Sequence, residues 1–213
     1  MKGEACMRYE VSGEQFETVN VLAENRMIDG ENTLRVVKGP EKLMRFDENT
    51  YARLKDLTFH NGIIEVKMLS RLLPDAPDFA RGFIGIAFRI SPDDSEFESF
   101  YIRPTNAMTD DPVRRAHGCQ YFSYPGYTFA YFREYGIDGY EAPMNCGLDK
   151  WIKLKAVIHD DTAAFYLNDS KTPVLTVSGM KHGADAKGSV GFFVDIGTEA
   201  FFKDLVITQE ESK

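Results

Sequence analysis

Apolar and polar residues alternate along much of the chain, which is the pattern of a β-strand with one buried face. The segment 63–69 is an example, with Ile64, Val66 and Met68 on one side and Glu65 and Lys67 on the other. About eleven to thirteen short strands are predicted. They include 17–23, 33–37, 51–54, 63–69, 82–90, 97–103, 151–159, 163–167, 174–177, 188–196 and 201–207. No segment longer than about ten residues has a helical period. The pattern predicts an all-β fold of two antiparallel sheets packed face to face as a β-sandwich.

Glycine, proline, asparagine and aspartate separate these segments and place the turns. Asn61-Gly62 is a strong hairpin signal, and Asp47-Glu48-Asn49 is typical of a turn. The length of 213 residues suits one domain over 1–213. Residues 1–16 are expected to form a loosely attached N-terminal segment within it.

The overall charge limits what the protein binds. The net charge is -8, whereas a general nucleic-acid-binding protein needs a basic surface that displaces counterions. The same charge disfavours adsorption to an anionic membrane, and no apolar run approaches the roughly 18–20 residues of a membrane span. We therefore expect neither a nucleic-acid nor a membrane partner. The N-terminus lacks the apolar core of a signal peptide, so we expect a cytoplasmic protein unless a leader peptide has been removed.

The three cysteines, Cys6, Cys119 and Cys146, have no C-x-x-C spacing, so neither a disulfide framework nor a zinc site is favoured. Cys119 is expected to be a small packing residue, with a catalytic thiol as the less favoured alternative. No cofactor is expected. A structural calcium ion in the loop Thr109-Asp110-Asp111 is the one alternative.

The stretch 98–127 is the leading candidate for a binding site. It combines cationic, aromatic and amide side chains in a chain that is acidic overall. The candidates in it are Tyr101, Arg103, Arg114, Arg115, His117, Gln120, Tyr121 and Tyr124. Tyrosine offers a sugar both an apolar face and a hydroxyl, and arginine can bind hydroxyls or a carboxylate with two parallel donors. Several arginines in one groove would favour an acidic or oxidised sugar, although neutral sugars stay open.

Strand alternation assigns some of these residues to one face. In 97–103, Tyr101 and Arg103 point to the side opposite Phe100 and Ile102. In 82–90, Arg89 is predicted on the same face as the small residues Gly85 and Ala87. It could line a shallow groove there, or it could be a structural arginine whose hydrogen bonds are satisfied at a sheet edge. If the two strands pair, Arg89 is expected beside Tyr101 and Arg103.

Several longer segments resemble the concanavalin A-like lectin/glucanase superfamily. They are GFIGIAFR (82–89), FESFYIRPTN (97–106), QYFSYP (120–125), the W-x-K-x-K run of 151–155 and GFFVDIGTEAFFKDLVI (191–207). Within the superfamily the chain is most similar to the laminin-G-like and keto-disaccharide-hydrolase-like bacterial domains. The resemblance covers most of the chain after about residue 32. It implies a two-sheet jelly roll with a concave face that often binds glycans, whereas activity does not follow from fold.

A glucanase of this superfamily would carry alternating carboxylates on one strand, broadly E-x-D-x-E. The local match is Asp94-x-Glu96-x-Glu98, which departs from that pattern in its first two acids and begins in a turn. Glu98 is therefore a candidate catalytic carboxylate. The alternative is that these acids are solvent-exposed residues at the start of a strand. A retaining pair needs carboxyl groups roughly 5–5.5 Å apart.

Asp195 and Glu199 are the second pair of candidate carboxylates. On a straight strand they would lie about 13 Å apart, too far for a direct pair, unless a bulge at Gly197 re-aims them. Asp195 interrupts an apolar strand and so needs a partner, for which an arginine is the obvious choice. His117 is a candidate general base, with an ordinary hydrogen-bonding role as the alternative.

Three functions remain open. The first is a carbohydrate-binding domain whose groove is lined by Arg89, Tyr101, Arg103, Arg114, Arg115, His117, Gln120, Tyr121, Tyr124 and Asp195. The second is a glycoside hydrolase that uses Glu98, or Asp195 and Glu199, with His117. The third is a protein-interaction domain whose tyrosines pack against the body. Neither the ligand nor the oligomeric state follows from the residues.

Overall fold

The computed structural model describes residues 4–210, which form fifteen strands and three short helices. The strands are β1 (Glu4–Tyr9), β2 (Phe16–Val19), β3 (Val21–Ile28), β4 (Glu31–Lys38), β5 (Tyr51–Leu54), β6 (Gly62–Leu72), β7 (Ile84–Ile90), β8 (Phe97–Ile102), β9 (Cys119–Tyr124), β10 (Glu141–Ala142), β11 (Ile152–His159), β12 (Thr162–Leu167), β13 (Leu175–Ser178), β14 (Ser189–Val194) and β15 (Thr198–Glu210). The helices are α1 (Pro104–Ala107), α2 (Pro112–Ala116) and α3 (Phe129–Glu134), and single 3₁₀ turns lie at Gly13–Gln15 and Pro40–Lys42. None of the helices in residues 4–210 could span a membrane.

The strands form two antiparallel sheets, as the alternation predicts. The eight-stranded sheet has the order β13-β12-β11-β6-β15-β4-β3, and β1 also pairs with β15. The seven-stranded sheet has the order β10-β9-β8-β7-β14-β5-β2. Strands that are distant in sequence lie side by side in both sheets, which is typical of a jelly roll. The predicted fold class is confirmed.

The core lies between the two sheets. In β6, Ile64, Val66 and Met68 are buried, while the intervening Glu65 and Lys67 are partly exposed on the outer side. From the other sheet, the alternate residues of β7 reach the same core, and Phe100 of β8 stacks on Phe165 of β12 with ring centroids 4.1 Å apart. The alternation therefore assigns the inward face of both sheets correctly.

The outer face of the seven-stranded sheet is also filled. A second apolar cluster covers it, formed by Tyr51, Phe83, Ala87, Ile90, Phe97, Tyr101, Phe122 and Phe193. The Tyr101 ring packs on Phe193 and Phe122, with centroids 5.5 Å and 5.8 Å away. The middle of this face is thus occupied by the protein's own aromatic side chains, and an open cavity lies at its end.

Two local predictions are wrong. Asn61-Gly62 does not close a hairpin, because Gly62 begins β6, which pairs with β11 and β15. A Cβ at position 62 would lie 2.0 Å from the Thr208 carbonyl oxygen, so glycine is required there for close approach of two strands. Instead of a loosely attached segment, residues 4–9 form β1 and pair with β15 over 205–210. Residues 1–3 of that predicted segment lie outside the described part of the chain.

Candidate functional site

The candidate site is built by the connections at one end of the seven-stranded sheet. Pro104 follows β8 and is the first residue of α1, and Asp111 caps α2 by accepting hydrogen bonds from the backbone amides of Val113 and Arg114. The Thr128 side chain accepts from the Tyr131 amide and so caps α3. Residues of all three short helices line one cavity together with Arg103, which lies at the end of β8.

A cavity of about 310 Å³ opens between these helices, and we call it the arginine pocket. Four phenylalanines (Phe46, Phe79, Phe83 and Phe129) and four arginines (Arg81, Arg103, Arg114 and Arg133) line it, together with Asn106, Val113 and His117. They come from four separate parts of the chain: the loop before β5, the segment before β7, the β8–β9 connection and α3.

Phe46 packs against the other three phenylalanines that line the arginine pocket. Its ring contacts Phe79, Phe83 and Phe129, with centroid distances of 5.7, 5.8 and 5.7 Å. Phe46 and Phe79 remain 37% and 40% exposed. Part of this wall is therefore free to contact a ligand through flat apolar surface.

Arg103 forms the floor of the pocket and is buried. Its guanidinium donates to Glu141 Oε1 at 2.6 Å, to the Tyr101 hydroxyl oxygen at 2.9 Å and to the His117 carbonyl at 3.2 Å. It also donates to Gln120 Oε1. Burial alone would lower the pKa of Arg103, but Tyr101 and Glu141 raise it above its ordinary value. Arg103 is therefore a permanent positive charge that is already well bonded.

Arg81 and Arg114 differ from Arg103 because neither forms an ion pair with a carboxylate in residues 4–210. Arg81 donates to the carbonyls of Asp78 and Ala80. Arg114 reaches only neutral acceptors, Asn106 Oδ1 and the hydroxyls of Thr105 and Thr109, at 3.3–3.5 Å.

The charges of these arginines act on one another. Burial lowers the pKa of Arg81, and the nearby positive charges of Arg114 and Arg103 lower it further. The arginine pocket therefore carries positive charge that the protein does not fully neutralise.

Glu141 does not line the arginine pocket, but its carboxylate pairs with two arginines that do, Arg103 and Arg133. Besides Arg103 it accepts from Arg133 at 2.7 and 3.1 Å, and its Oε2 lies 3.0 Å from His117 Nδ1, an ion pair when the imidazole is protonated. Burial alone would raise the pKa of Glu141, but the hydrogen bonds and charges of Arg133 and Arg103 outweigh it and lower the pKa. Glu141 is therefore held as an anion.

A second cavity, of about 360 Å³, adjoins the first, and we call it the second pocket. It is formed by the segment 136–141 with Ala116 and Phe132, and it shares His117 and Arg133 with the arginine pocket. His117 is fixed there because its carbonyl accepts from both Arg103 and Asn106. One imidazole and one guanidinium thus separate two neighbouring cavities.

Beneath the arginine pocket lies a buried pair of carboxyl groups. Asp47 accepts from the Tyr101 hydroxyl at 3.0 Å and from the Phe129 amide at 3.2 Å, and its own amide donates to Asp195 Oδ2 at 2.9 Å. Burial and the charge of Asp195 raise the pKa of Asp47 to about 7. This network fixes Phe46, the residue before Asp47, and Phe129 at the pocket wall.

The structure brings together only part of the predicted binding set. Arg103, Arg114 and His117 line the arginine pocket. Tyr101 and Gln120 lie beneath it, buried, and both contact Arg103. Arg115 is exposed on α2 and does not line either cavity.

The predicted position of Arg89 is wrong. The β7–β8 pairing is antiparallel with Gly85 opposite Tyr101 and Phe88 opposite Glu98, so Arg89 lies at the end away from Arg103. A bulge opposite β14 gives Arg89 a φ of 54° and turns its side chain away from the outer face. Its guanidinium donates to Asn61 Oδ1 and to the carbonyls of His60, Asp160 and Gly183. Arg89 therefore has a structural role: its hydrogen bonds connect the chain segments around positions 60, 160 and 183.

Tyr121 and Tyr124 also lie outside the arginine pocket. Tyr121 faces the core between the sheets, and its hydroxyl donates to Glu98 Oε2 at 2.5 Å. Tyr124 is half-buried and stacks on Phe97 at 5.1 Å. Since Tyr127 is half-buried too and packs on Tyr131, these tyrosines serve packing in the described structure.

The predicted catalytic carboxylates do not converge. Glu98 is buried in the sandwich, where it also accepts from the His182 amide at 3.0 Å. Asp195 is buried against Lys38 at 2.5 Å, so its partner is a lysine and not an arginine. Glu199 lies in the eight-stranded sheet and pairs with Arg35 at 2.7 Å. Each of the three is engaged in a separate structural contact.

Two further predictions concern cysteine and calcium. Cys119 is buried in the core, and burial raises its pKa to about 12, so it packs as a neutral thiol. Among residues 4–210 no group of three or more His, Cys, Asp or Glu side chains is placed to hold a metal ion. A calcium ion near Asp110 stays a prediction, with the Asp111 carboxylate acting as the cap of α2.

Sequence reasoning missed Asp47, Phe46, Phe79, Arg81, Phe129, Arg133 and Glu141. Asp47 was predicted only as a turn residue, and its φ of 51° agrees with that. Arg81 and Phe79 lie in a segment that has no periodicity, between β6 and β7. Glu141 pairs opposite Gln120 in the two-residue strand β10, which is too short to be recognised by alternation.

Comparison with known proteins supports the fold. No protein-family model matches the chain, and no curated protein matches it by sequence. Among solved structures, the carbohydrate-binding module CBM66 from Bacillus subtilis is similar, with a TM-score of 0.57, 15% identity and coverage of 95% of this chain and 97% of that chain. A protein of unknown function with a galectin-like fold, also from Bacillus subtilis, has a TM-score of 0.54 at 12% identity, covering 96% of this chain and 98% of that chain.

A third similar structure is a prokaryotic β-1,3-1,4-glucanase (lichenase) derived from a mouse hindgut metagenome. Its TM-score is 0.52 at 10% identity, and the match covers 98% of this chain and 99% of that chain. Identities this low show the fold alone. The chain has the concanavalin A-like jelly-roll fold that its sequence segments resemble.

Proposed function

We propose that the protein binds carbohydrate, and that the arginine pocket binds the carboxylate of an acidic or oxidised sugar. The observation that carries the proposal is the pair Arg81 and Arg114, which line the pocket without a carboxylate partner in residues 4–210. A guanidinium binds a carboxylate with two parallel charge-assisted hydrogen bonds. A ligand carboxylate would supply the missing counter-charge.

The shape of the pocket supports a sugar as the carrier of that carboxylate. Phe46 and Phe79 offer partly exposed rings at the wall, and an aromatic face packs against the apolar side of a saccharide ring. A cavity of about 310 Å³ is at the small end of the range for ligand sites, roughly 300–1,000 Å³. The similarity to a carbohydrate-binding module and a glucanase agrees with this ligand class.

Calorimetric titration tests the proposal. Glucuronate and galacturonate are titrated beside glucose and galactose, which lack the carboxylate. We expect binding of at least one uronate and weaker or no binding of its neutral counterpart. Loss of a charge-assisted hydrogen bond costs roughly 1.5–3 kcal/mol, so Arg114→Gln should weaken uronate binding by about tenfold or more.

Arg115→Gln is the matched control, because Arg115 lies on the same helix but is exposed outside both cavities. It should bind the uronate as the wild type does. Equal affinity for the uronate and its neutral counterpart, or an equal effect of the two substitutions, contradicts the proposal.

A second candidate function is glycoside cleavage, favoured by the 3.0 Å contact between His117 Nδ1 and Glu141 Oε2 at the wall between two cavities. The contact does not have hydrogen-bond geometry in the described structure. A carboxylate that hydrogen-bonds to an imidazole can orient it as a general base. Glu141 is held as an anion by two arginines and so is a poor proton donor. Product analysis after incubation with uronate-containing oligosaccharides tests this candidate: cleavage that His117→Gln abolishes supports it, and intact oligosaccharide excludes it for those substrates.

A further inference from the structure

Binding of an acidic sugar in the arginine pocket does not explain why a second pocket lies beside it. It shares His117 and Arg133 with the arginine pocket, so a ligand seated in one cavity has the other directly beside it. The two cavities have similar volumes, about 310 and 360 Å³. Two adjoining cavities of similar size suit two linked units better than one.

The second pocket carries less positive charge than the arginine pocket, which four arginines line. Its lining includes the carboxylates of Asp138 and Glu141. Among the described residues that line it, Arg133 is the one arginine or lysine, and it is already hydrogen-bonded to Glu141. An anion placed here would face the unpaired carboxylate of Asp138 and, among residues 4–210, no free arginine, because Glu141 already pairs with Arg133 and Arg103. Sugar hydroxyls, in contrast, could donate to Asp138.

We propose that the second pocket is a subsite for a neutral sugar unit, so that the preferred ligand joins a uronic acid to a neutral hexose. This inference rests on the proposed binding of an acidic sugar in the arginine pocket. The acidic unit occupies the arginine pocket and the neutral unit the second pocket, with the glycosidic link passing His117 and Arg133. A second carboxylate is disfavoured there by the negative charge of Asp138 and by the lack of a free arginine among the described residues that line the pocket.

The test compares three classes of ligand by calorimetry. They are the methyl glycoside of a uronic acid, a panel of disaccharides that join glucuronate or galacturonate to a neutral hexose, and digalacturonate. We expect the best mixed disaccharide to bind about tenfold more tightly than the methyl uronide. Digalacturonate should bind no more tightly than the methyl uronide, because its second unit carries a carboxylate.

Two variants locate the effect. Ala116→Trp places a large side chain in the second pocket, and the ratio of disaccharide to methyl uronide affinity should fall to about one. Ala130→Trp is its control, since Ala130 is exposed on α3 and lines neither cavity. Asp138→Asn removes one repelling carboxylate and should raise the affinity for digalacturonate. Asp185→Asn should not, because Asp185 is exposed and lines neither cavity. The Asp138 test stands even if the tryptophan variant misfolds.

The outcomes separate this inference from the proposed function. If no uronate binds, the proposed function itself fails. If the methyl uronide binds but no mixed disaccharide binds more tightly, the proposed function stands and the subsite is contradicted. Digalacturonate binding as tightly as the best mixed disaccharide would overturn the assignment of a neutral unit.

Discussion

The Tyr101 hydroxyl donates a hydrogen bond to Asp47 Oδ1 at 3.0 Å and accepts one from Arg103 at 2.9 Å. Tyr101 thus connects a buried acid to the floor of the arginine pocket. The connection continues from Asp47 to Asp195 and Lys38, and from Arg103 to Glu141. The shape of the pocket depends on this buried chain of polar groups, which is why changes beneath it should alter stability as well as binding.

Asp47 makes stability depend on pH. The ordinary pKa of 3.8 rises to about 7 in the folded protein because of burial and the charge of Asp195. Between these values the folded state binds more protons than the unfolded chain, so the free energy of unfolding falls as pH rises through this range. The pKa of Asp195 is also raised by burial, which gives the same sign.

The measurement is urea unfolding of the wild type and of Asp47→Asn between pH 4 and 8, roughly the window of the shift. We expect the wild type to lose more than about 1 kcal/mol relative to the variant across that range. Groups with lowered pKa values, such as Glu141, act in both proteins and cancel in the comparison. The buried position of Asp47 is contradicted if the difference in free energy of unfolding between the two proteins does not change with pH. It is also contradicted if the wild type becomes more stable than the variant as pH rises.

Arg103 should be required for stability. Its substitution by methionine leaves the acceptors on Glu141, Gln120 and the His117 carbonyl without their shared donor. Breaking a buried charge pair costs about 3–5 kcal/mol, measured here by urea unfolding. Arg115→Met is the control and should change stability by less than about 0.5 kcal/mol, as exposed substitutions do. Equal stability of the two variants would show that the pocket floor does not depend on Arg103.

Glu98 should be structural and not catalytic. Glu98→Gln replaces a carboxylate that accepts from Tyr121 and from the His182 amide with a group that has one acceptor oxygen. We expect a loss of about 1–3 kcal/mol in the free energy of unfolding and an unchanged affinity for uronates. Glu96→Gln, exposed and two residues away, should affect neither. A selective loss of binding or turnover in Glu98→Gln would return Glu98 to the functional site.

Phe46 should contribute to ligand affinity through its exposed ring. Aromatic contacts are worth about 0.5–1.5 kcal/mol beyond buried area, so Phe46→Ala should weaken uronate binding by roughly threefold to tenfold. The control is Leu22→Ala, which removes an exposed apolar side chain from the other sheet. Unchanged calorimetric affinity in Phe46→Ala would mean that the aromatic wall does not contact the sugar.

The two-sheet fold could be predicted because strand alternation depends on burial of one face, and both sheets obey it in β6 and β7. The bulge at Arg89 could not, because one inserted residue reverses the direction of the next side chain and leaves no mark in the alternation. The error at Asn61-Gly62 has a related cause. The sequence alone does not distinguish a glycine that allows two strands to approach closely, as Gly62 does, from a glycine that allows a turn.

The candidate site could be predicted only where its residues are neighbours in sequence. Arg103, Arg114 and His117 were found because they lie within one polar stretch. Arg81, Glu141 and Phe46 come from other connections, and only the sheet order brings those connections to one end. No local pattern predicts which loops meet. The structure was therefore needed to show that Arg103 has a counter-charge and that Arg81 and Arg114 have none within residues 4–210.

A crystal structure with a bound uronate would show whether the arginine pocket binds the sugar carboxylate. We predict that the carboxylate lies in the arginine pocket with its oxygens about 2.7–2.9 Å from the guanidinium nitrogens of Arg81 and Arg114, and that the sugar ring contacts Phe46. A sugar bound elsewhere on the molecule, or one whose carboxylate points to solvent while its hydroxyls face the arginines, would contradict it.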